Sequence, residues 1–91
     1  MAAKRVIFEG RVQGVGFRYT VKDLARGFEV CGWVRNLPDG SVELQVMGEE
    51  AELKDFLEEI VVESPLAAGI RNHYVENIPP LTGCKGFTIA S

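Results

Sequence analysis

The sequence predicts an α/β sandwich, one mixed sheet with two helices on one face. Residues 4–12 and 41–47 alternate apolar and polar side chains, the period of two expected of half-buried strands. Residues 17–28 and 49–62 instead repeat their apolar side chains at helical spacing. Gly-, Pro- and Asp-containing turns punctuate the chain between these segments.

Each element follows from its own residues. In the first strand Val6, Phe8, Gly10 and Val12 share one face, and Arg5, Ile7, Glu9 and Arg11 the other. Gln13-Gly14-Val15-Gly16 is a turn, after which Phe17, Val21, Leu24, Ala25 and Phe28 form one stripe of an amphipathic helix. A second strand runs through Cys31-Gly32-Trp33-Val34-Arg35, with Trp33 expected as a core anchor. Leu37-Pro38-Asp39-Gly40 is a turn, because Pro presets φ and Gly accepts a positive φ. Val42, Leu44 and Val46 then point inward, so the two strands make a hairpin. In the second helix Glu49, Glu50 and Glu52 suit the positive N-terminal end, and Leu53, Phe56, Leu57 and Ile60 form the buried face. Ser64-Pro65 stops it. Residues 70–76 read as a fourth strand and residues 86–89, after Pro79-Pro80, as a short fifth. The order is that of a ferredoxin-like βαββαβ sandwich, mixed but mainly antiparallel, in a single domain over residues 1–91.

Composition narrows the function. A chain of 91 residues, 46% of them hydrophobic, supports one modest core. No apolar run approaches the roughly 20 residues that cross a bilayer. Met1-Ala2-Ala3-Lys4-Arg5 leads directly into a strand pattern, so no signal peptide is expected and the cytoplasm is the default location. Asp and Glu outnumber Lys and Arg by 13 to 10, and the pI of about 5.1 argues against nucleic acid as a partner. A single cationic pocket can still hold a small anion inside a negative surface. Cys31 and Cys84 are too few for a disulfide scaffold or a zinc site and read as small hydrophobes. The lone His73 lies mid-strand and reads as structural or surface-exposed.

The first loop has the chemistry of an anion site. The first and second strands are parallel in this topology, with the third between them, so their C-terminal ends open on one edge. Residues 13–17 leave the first strand there and Asn36 ends the second, about 10 Å apart at two strand spacings. Gly14 and Gly16 can turn successive N–H groups inward as a nest, and the helix behind adds its partial positive charge. Arg18 falls in the first helical turn, where a cation is unfavourable unless an anion shares the site. A glycine-rich connecting turn followed by a surface arginine has the same spelling. Neither a P-loop nor a dinucleotide fingerprint is present, since no Gly-Lys-Ser/Thr follows and Tyr19 stands at the third glycine position.

Two stretches resemble the signatures of the acylphosphatases: Gly10-Arg11-Val12-Gln13-Gly14-Val15-Gly16-Phe17-Arg18 and Gly32-Trp33-Val34-Arg35-Asn36-Leu37-Pro38-Asp39-Gly40-Ser41-Val42-Glu43. Their order and spacing also agree. The resemblance covers the chain well to about Pro65; beyond, it rests on strand pattern. It implies an enzyme that hydrolyses small acyl phosphates to a carboxylate and inorganic phosphate; a monomer is the default state. Residues Gln13, Gly14, Val15, Gly16, Phe17 and Arg18 would bind the phosphate, and Arg18 and Asn36 would be catalytic, Asn36 by placing the water. A carboxylate leaves without a general acid, and in the family's proposed mechanism the substrate's own phosphate takes the proton. No metal or cofactor is implied.

The resemblance sets further expectations. The family's sheet order, four-one-three-two with the fifth strand parallel beside the second, brings Cys31 near Cys84. The family usually has glycine where this chain has Glu29, so Glu29 would close the first helix in a left-handed conformation. Two alternatives remain. The same fold fronts a larger hydrogenase-maturation protein as a phosphate or acyl-phosphate binding module, although the chain ends at Ser91 with no zinc-finger cysteines following. RNA-binding domains share the element order, but they display aromatics on central strands, whereas Phe17 lies in a loop.

Overall fold

The computed structural model describes all 91 residues. The strands are β1 (Ala2–Gly10), β2 (Val30–Asn36), β3 (Val42–Gly48), β4 (Ile70–Ile78) and β5 (Phe87–Ile89), and the helices are α1 (Phe17–Ala25) and α2 (Glu50–Glu58). The sheet order is β4-β1-β3-β2-β5, with β5 parallel to β2 and the other neighbours antiparallel. The expected ferredoxin-like architecture is therefore present.

The core lies between the sheet and its helices. Val6, Phe8, Val34, Val42, Leu44 and Val46 from the strands meet Phe17, Val21 and Ala25 of α1 and Leu53 and Phe56 of α2. Alternation puts the other strand residues on the uncovered face. There Glu43, only 1% exposed, accepts hydrogen bonds from Arg5 Nε, Arg35 Nε and Gln45 Nε2. Burial pushes its carboxyl pKa up, but these hydrogen bonds, with the charge of Arg5, more than offset that and hold it below the ordinary glutamate value. Trp33 belongs to this face too. It is half-buried, with the Arg35 guanidinium 5.1 Å from its ring centroid, and not a core anchor. The reason is period: Val34 occupies the core-facing position, so its neighbour must point the other way.

Three boundaries differ from expectation. β1 leaves its ladder after Gly10, at a register shift beside β4, and Val12 is buried without being in the strand. α1 stops at Ala25, and tight turns from Arg26, Gly27 and Phe28 back to Asp23, Leu24 and Ala25 carry Phe28 against Phe56, with ring centroids 5.4 Å apart. No residue other than glycine has a positive φ, so Glu29 is not left-handed. Its N–H instead donates to Glu52 Oε1 at 2.7 Å, and a glycine there would relieve no strain. α2 ends at Glu58 and widens into a π turn, Glu59–Glu63. Ser64 causes this: its N–H reaches back to Glu59 O (2.8 Å), its hydroxyl donates to Ile60 O (2.7 Å), and Pro65 holds it extended.

β4 is an exposed edge, and His73 on it is exposed as well. At the other edge, Gly32 of β2 pairs with Phe87 of β5 and donates its N–H to Gly86 O, which brings Cys84 to Cys31. Both are free thiols. Burial, then the hydrogen bond and charge of Cys31, push the Cys84 thiol up to about 11.

Candidate active site

The loop after β1 and the end of β2 meet at one cavity of about 240 Å³, lined by Val12, Gly14, Gly16, Phe17, Arg18, Tyr19, Asn36 and Ile89. Its polar wall is the start of α1. Gly16 caps the helix at φ 75°, ψ 21°, and Gly14 has φ 76°. A Cβ at either would meet nothing within 4 Å, so handedness and not space calls for glycine. Gly16 offers no side-chain cap, and the first turn of α1 holds no acid. The helical ladder begins with Thr20 N–H donating to Gly16 O, which leaves the amides of Phe17, Arg18 and Tyr19 without helical acceptors. Arg18, half-buried, adds a guanidinium that takes part in none of the chain's ion pairs. Free amides, a helix dipole and an unpaired guanidinium on one wall make an electropositive pocket sized for a small anion.

From β2, Asn36 alone lines the cavity. Asn36 is the last residue of β2 and pairs with Val42. The turn behind it is rigid: Leu37 N–H donates to Ser41 O (2.9 Å), and Asp39 Oδ1 accepts from Ser41 N–H (2.9 Å) and Ser41 Oγ. The Ser41 hydroxyl bond, joined by the Ser41 amide, holds the Asp39 carboxyl below its ordinary value.

The residues expected in the site do not all play one part. Gly14, Gly16, Phe17, Arg18 and Asn36 line the cavity. Phe17 is nearly buried, packed on Phe8 at 5.1 Å, so its side chain anchors α1 while its backbone faces the pocket. Val15 is exposed and borders a neighbouring cleft with Arg11, Thr20 and Leu66. The Gln13 side chain turns to the hairpin, donating to Leu37 O and Ser41 O. Sequence reasoning missed Val12, Tyr19 and Ile89. The signal for Ile89 was available: parallel neighbours end on the same edge, and Ile89 pairs with Val34, two residues before Asn36. No group of three or more His, Cys, Asp and Glu residues is placed to hold a metal ion.

The family profile described as acylphosphatase matches residues 4–89. An acylphosphatase of Bacillus licheniformis is 43% identical over 90 residues, covering 99% of each chain. The crystal structure of acylphosphatase from Bacillus subtilis superimposes with a TM-score of 0.90 at 38% identity, covering both chains fully. HypF of T. kodakarensis, a larger protein, matches with a TM-score of 0.85 at 33% identity, over 100% of this chain and 12% of that one. Over nearly its whole length, in sequence and in structure, the chain belongs to the acylphosphatase family.

Proposed function

We propose that this chain, an acylphosphatase by family, hydrolyses small acyl phosphates in the cavity between α1 and β2, with Arg18 and the loop amides holding the phosphate and Asn36 placing the water. The observation that carries the assignment of roles is that an uncapped, arginine-bearing helix start and Asn36, at the end of β2, line one cavity. The phosphate-binding residues are the amides of residues 13–18 together with the Arg18 side chain.

The chemistry follows from that arrangement. The water oxygen attacks phosphorus, the bond between phosphorus and the carboxyl oxygen breaks, and a carboxylate departs with its electron pair. The water's proton passes to a phosphate oxygen of the substrate. Charge builds on the phosphoryl oxygens, where the guanidinium and loop amides stabilise it, so catalysis is positioning and electrostatic stabilisation. Tyr19 and Ile89 leave an apolar side for the acyl group. The reading also treats the enzyme as a cytoplasmic monomer. A net charge of −3 favours a small anion in one cationic pocket over a polyanionic nucleic acid partner.

Hydrolysis of acetyl or benzoyl phosphate tests this. Turnover by the parent protein, lost in Arg18→Ala by about 1,000-fold or more, is expected for a group on the transferring phosphoryl. A parent protein that binds phosphate without turnover would instead favour a binding module of the same fold.

A further inference from the structure

We propose that Gln13 is the positioning residue that fixes the phosphate loop against the strand end carrying Asn36. The inference rests on the roles given above to Arg18 and Asn36. In the sheet β1 and β2 are not neighbours, because β3 lies between them. The β1–β3 ladder ends at the pair Phe8–Val42, and the β2–β3 ladder at Asn36–Val42. Past Val42 no ladder connects the loop leaving β1 to the turn leaving β2, although the two walls of the cavity are built there.

Gln13 spans that gap. Its Nε2 donates to Leu37 O and to Ser41 O, each at 2.8 Å in half-buried surroundings. A primary amide has two N–H donors, and both are used. The acceptors are the carbonyls that close the hairpin: Ser41 O also accepts from Leu37 N–H at 2.9 Å, and Leu37 O from Gly40 N–H at 3.2 Å. Each carbonyl thus takes two donors, one per lone pair. Gln13 immediately precedes Gly14, and Leu37 immediately follows Asn36. One side chain therefore links the two functional walls with a single peptide of slack at either end. No other residue type does this at the same reach: methionine has the length without the donors, and a glutamate carboxylate would face two carbonyl oxygens.

The consequence is registration. A water placed by Asn36 has to meet a phosphorus held by the loop, and a displacement of about 1 Å can cost on the order of 100-fold in rate. Binding of phosphate alone uses only one wall and is insensitive to that displacement.

The test measures kcat and KM for acetyl phosphate, the inhibition constant of inorganic phosphate, and thermal stability in Gln13→Met and Gln13→Glu. We expect kcat to fall roughly 10- to 100-fold in Gln13→Met and further in Gln13→Glu. Phosphate inhibition should stay within about twofold of the parent, since the amides and Arg18 remain. Near-parent kcat would overturn the proposal. So would a phosphate constant that weakens in step with the loss of kcat, which would make Gln13 part of the anion cradle. If Gln13→Met fails to fold, Gln13→Asn, one methylene too short to reach both carbonyls, is read for the same split. A parent protein without turnover would remove the activity reading itself; with an active parent, the variants bear on Gln13 alone.

Discussion

The two α-helices are both nine residues long and cover the same face of the sheet, but their N-terminal ends carry opposite charge. α2 begins behind Glu49 with Glu50 and Glu52 in its first turn, so its own carboxylates answer the positive end of the dipole. α1 begins behind a glycine with no acid in its first turn and an arginine in its place. The first helix is self-sufficient only if an anion from outside the chain joins it. The arginines repeat the contrast: Arg5 and Arg35 are committed to Glu43, whereas Arg18 has no carboxylate partner. The difference separates structural charge from charge kept for a ligand.

The largest stability effect should come from the committed charges. Glu43→Ala removes the acceptor shared by Arg5, Arg35 and Gln45, and we expect a loss of about 3 kcal/mol, less than three full charge-assisted hydrogen bonds because both arginines reach solvent and Arg5 keeps Glu76. The same carboxylate sets a pH dependence. Its folded pKa lies below its unfolded one, so its contribution is complete above about pH 4.5 and is lost as pH falls through the folded value. Denaturant titrations between pH 7 and pH 3 should show this acid loss in the parent and a smaller one in Glu43→Gln.

The two ends of β2 offer a second contrast, since Asn36 closes the strand at the site and Cys31 lies near its start. Oxidation of the neighbouring thiols should raise stability by about 2 kcal/mol and leave kcat unchanged. The Cys84 thiol, pushed up to about 11, should make bridging slow at neutral pH. A fall in turnover on oxidation would show that β5, through Ile89, governs the pocket.

Smaller effects probe the start of α1 directly. Gly16→Ala forces a side chain into φ 75° and should cost about 1–2 kcal/mol, read as a lower Tm, while weakening phosphate binding. Arg18→Glu gives α1 the kind of end that α2 has. It should stabilise the phosphate-free protein by about 0.5 kcal/mol and abolish the rise in Tm that phosphate gives the parent. Destabilisation by Arg18→Glu would break the comparison between the helices.

Much of this was legible in the sequence, for physical reasons. Val42, Leu44 and Val46 could be placed inward because a period of two leaves no choice, whereas Gly14 and Gly16 fitted an anion nest and a plain connecting turn equally until the two signature stretches were compared with the family. What stayed hidden depended on contacts between distant residues. The π turn at the end of α2 exists because Ser64 bonds backward while Pro65 blocks continuation. Trp33 was misplaced because its size suggested the core, when its parity beside Val34 already excluded that. Gln13 read as part of the loop, since nothing in the local sequence says that its amide reaches the hairpin.

The central claim, that one wall binds and the other activates, is tested most directly by measuring kcat and the inorganic phosphate constant together in Arg18→Ala and Asn36→Ala. Arg18→Ala should lose both turnover and phosphate affinity, because the guanidinium serves ground and transition states alike. Asn36→Ala should lose turnover and keep phosphate affinity close to the parent value. Near-parent kcat in both variants, or an Asn36→Ala protein that no longer binds phosphate, would contradict the division of labour between the walls.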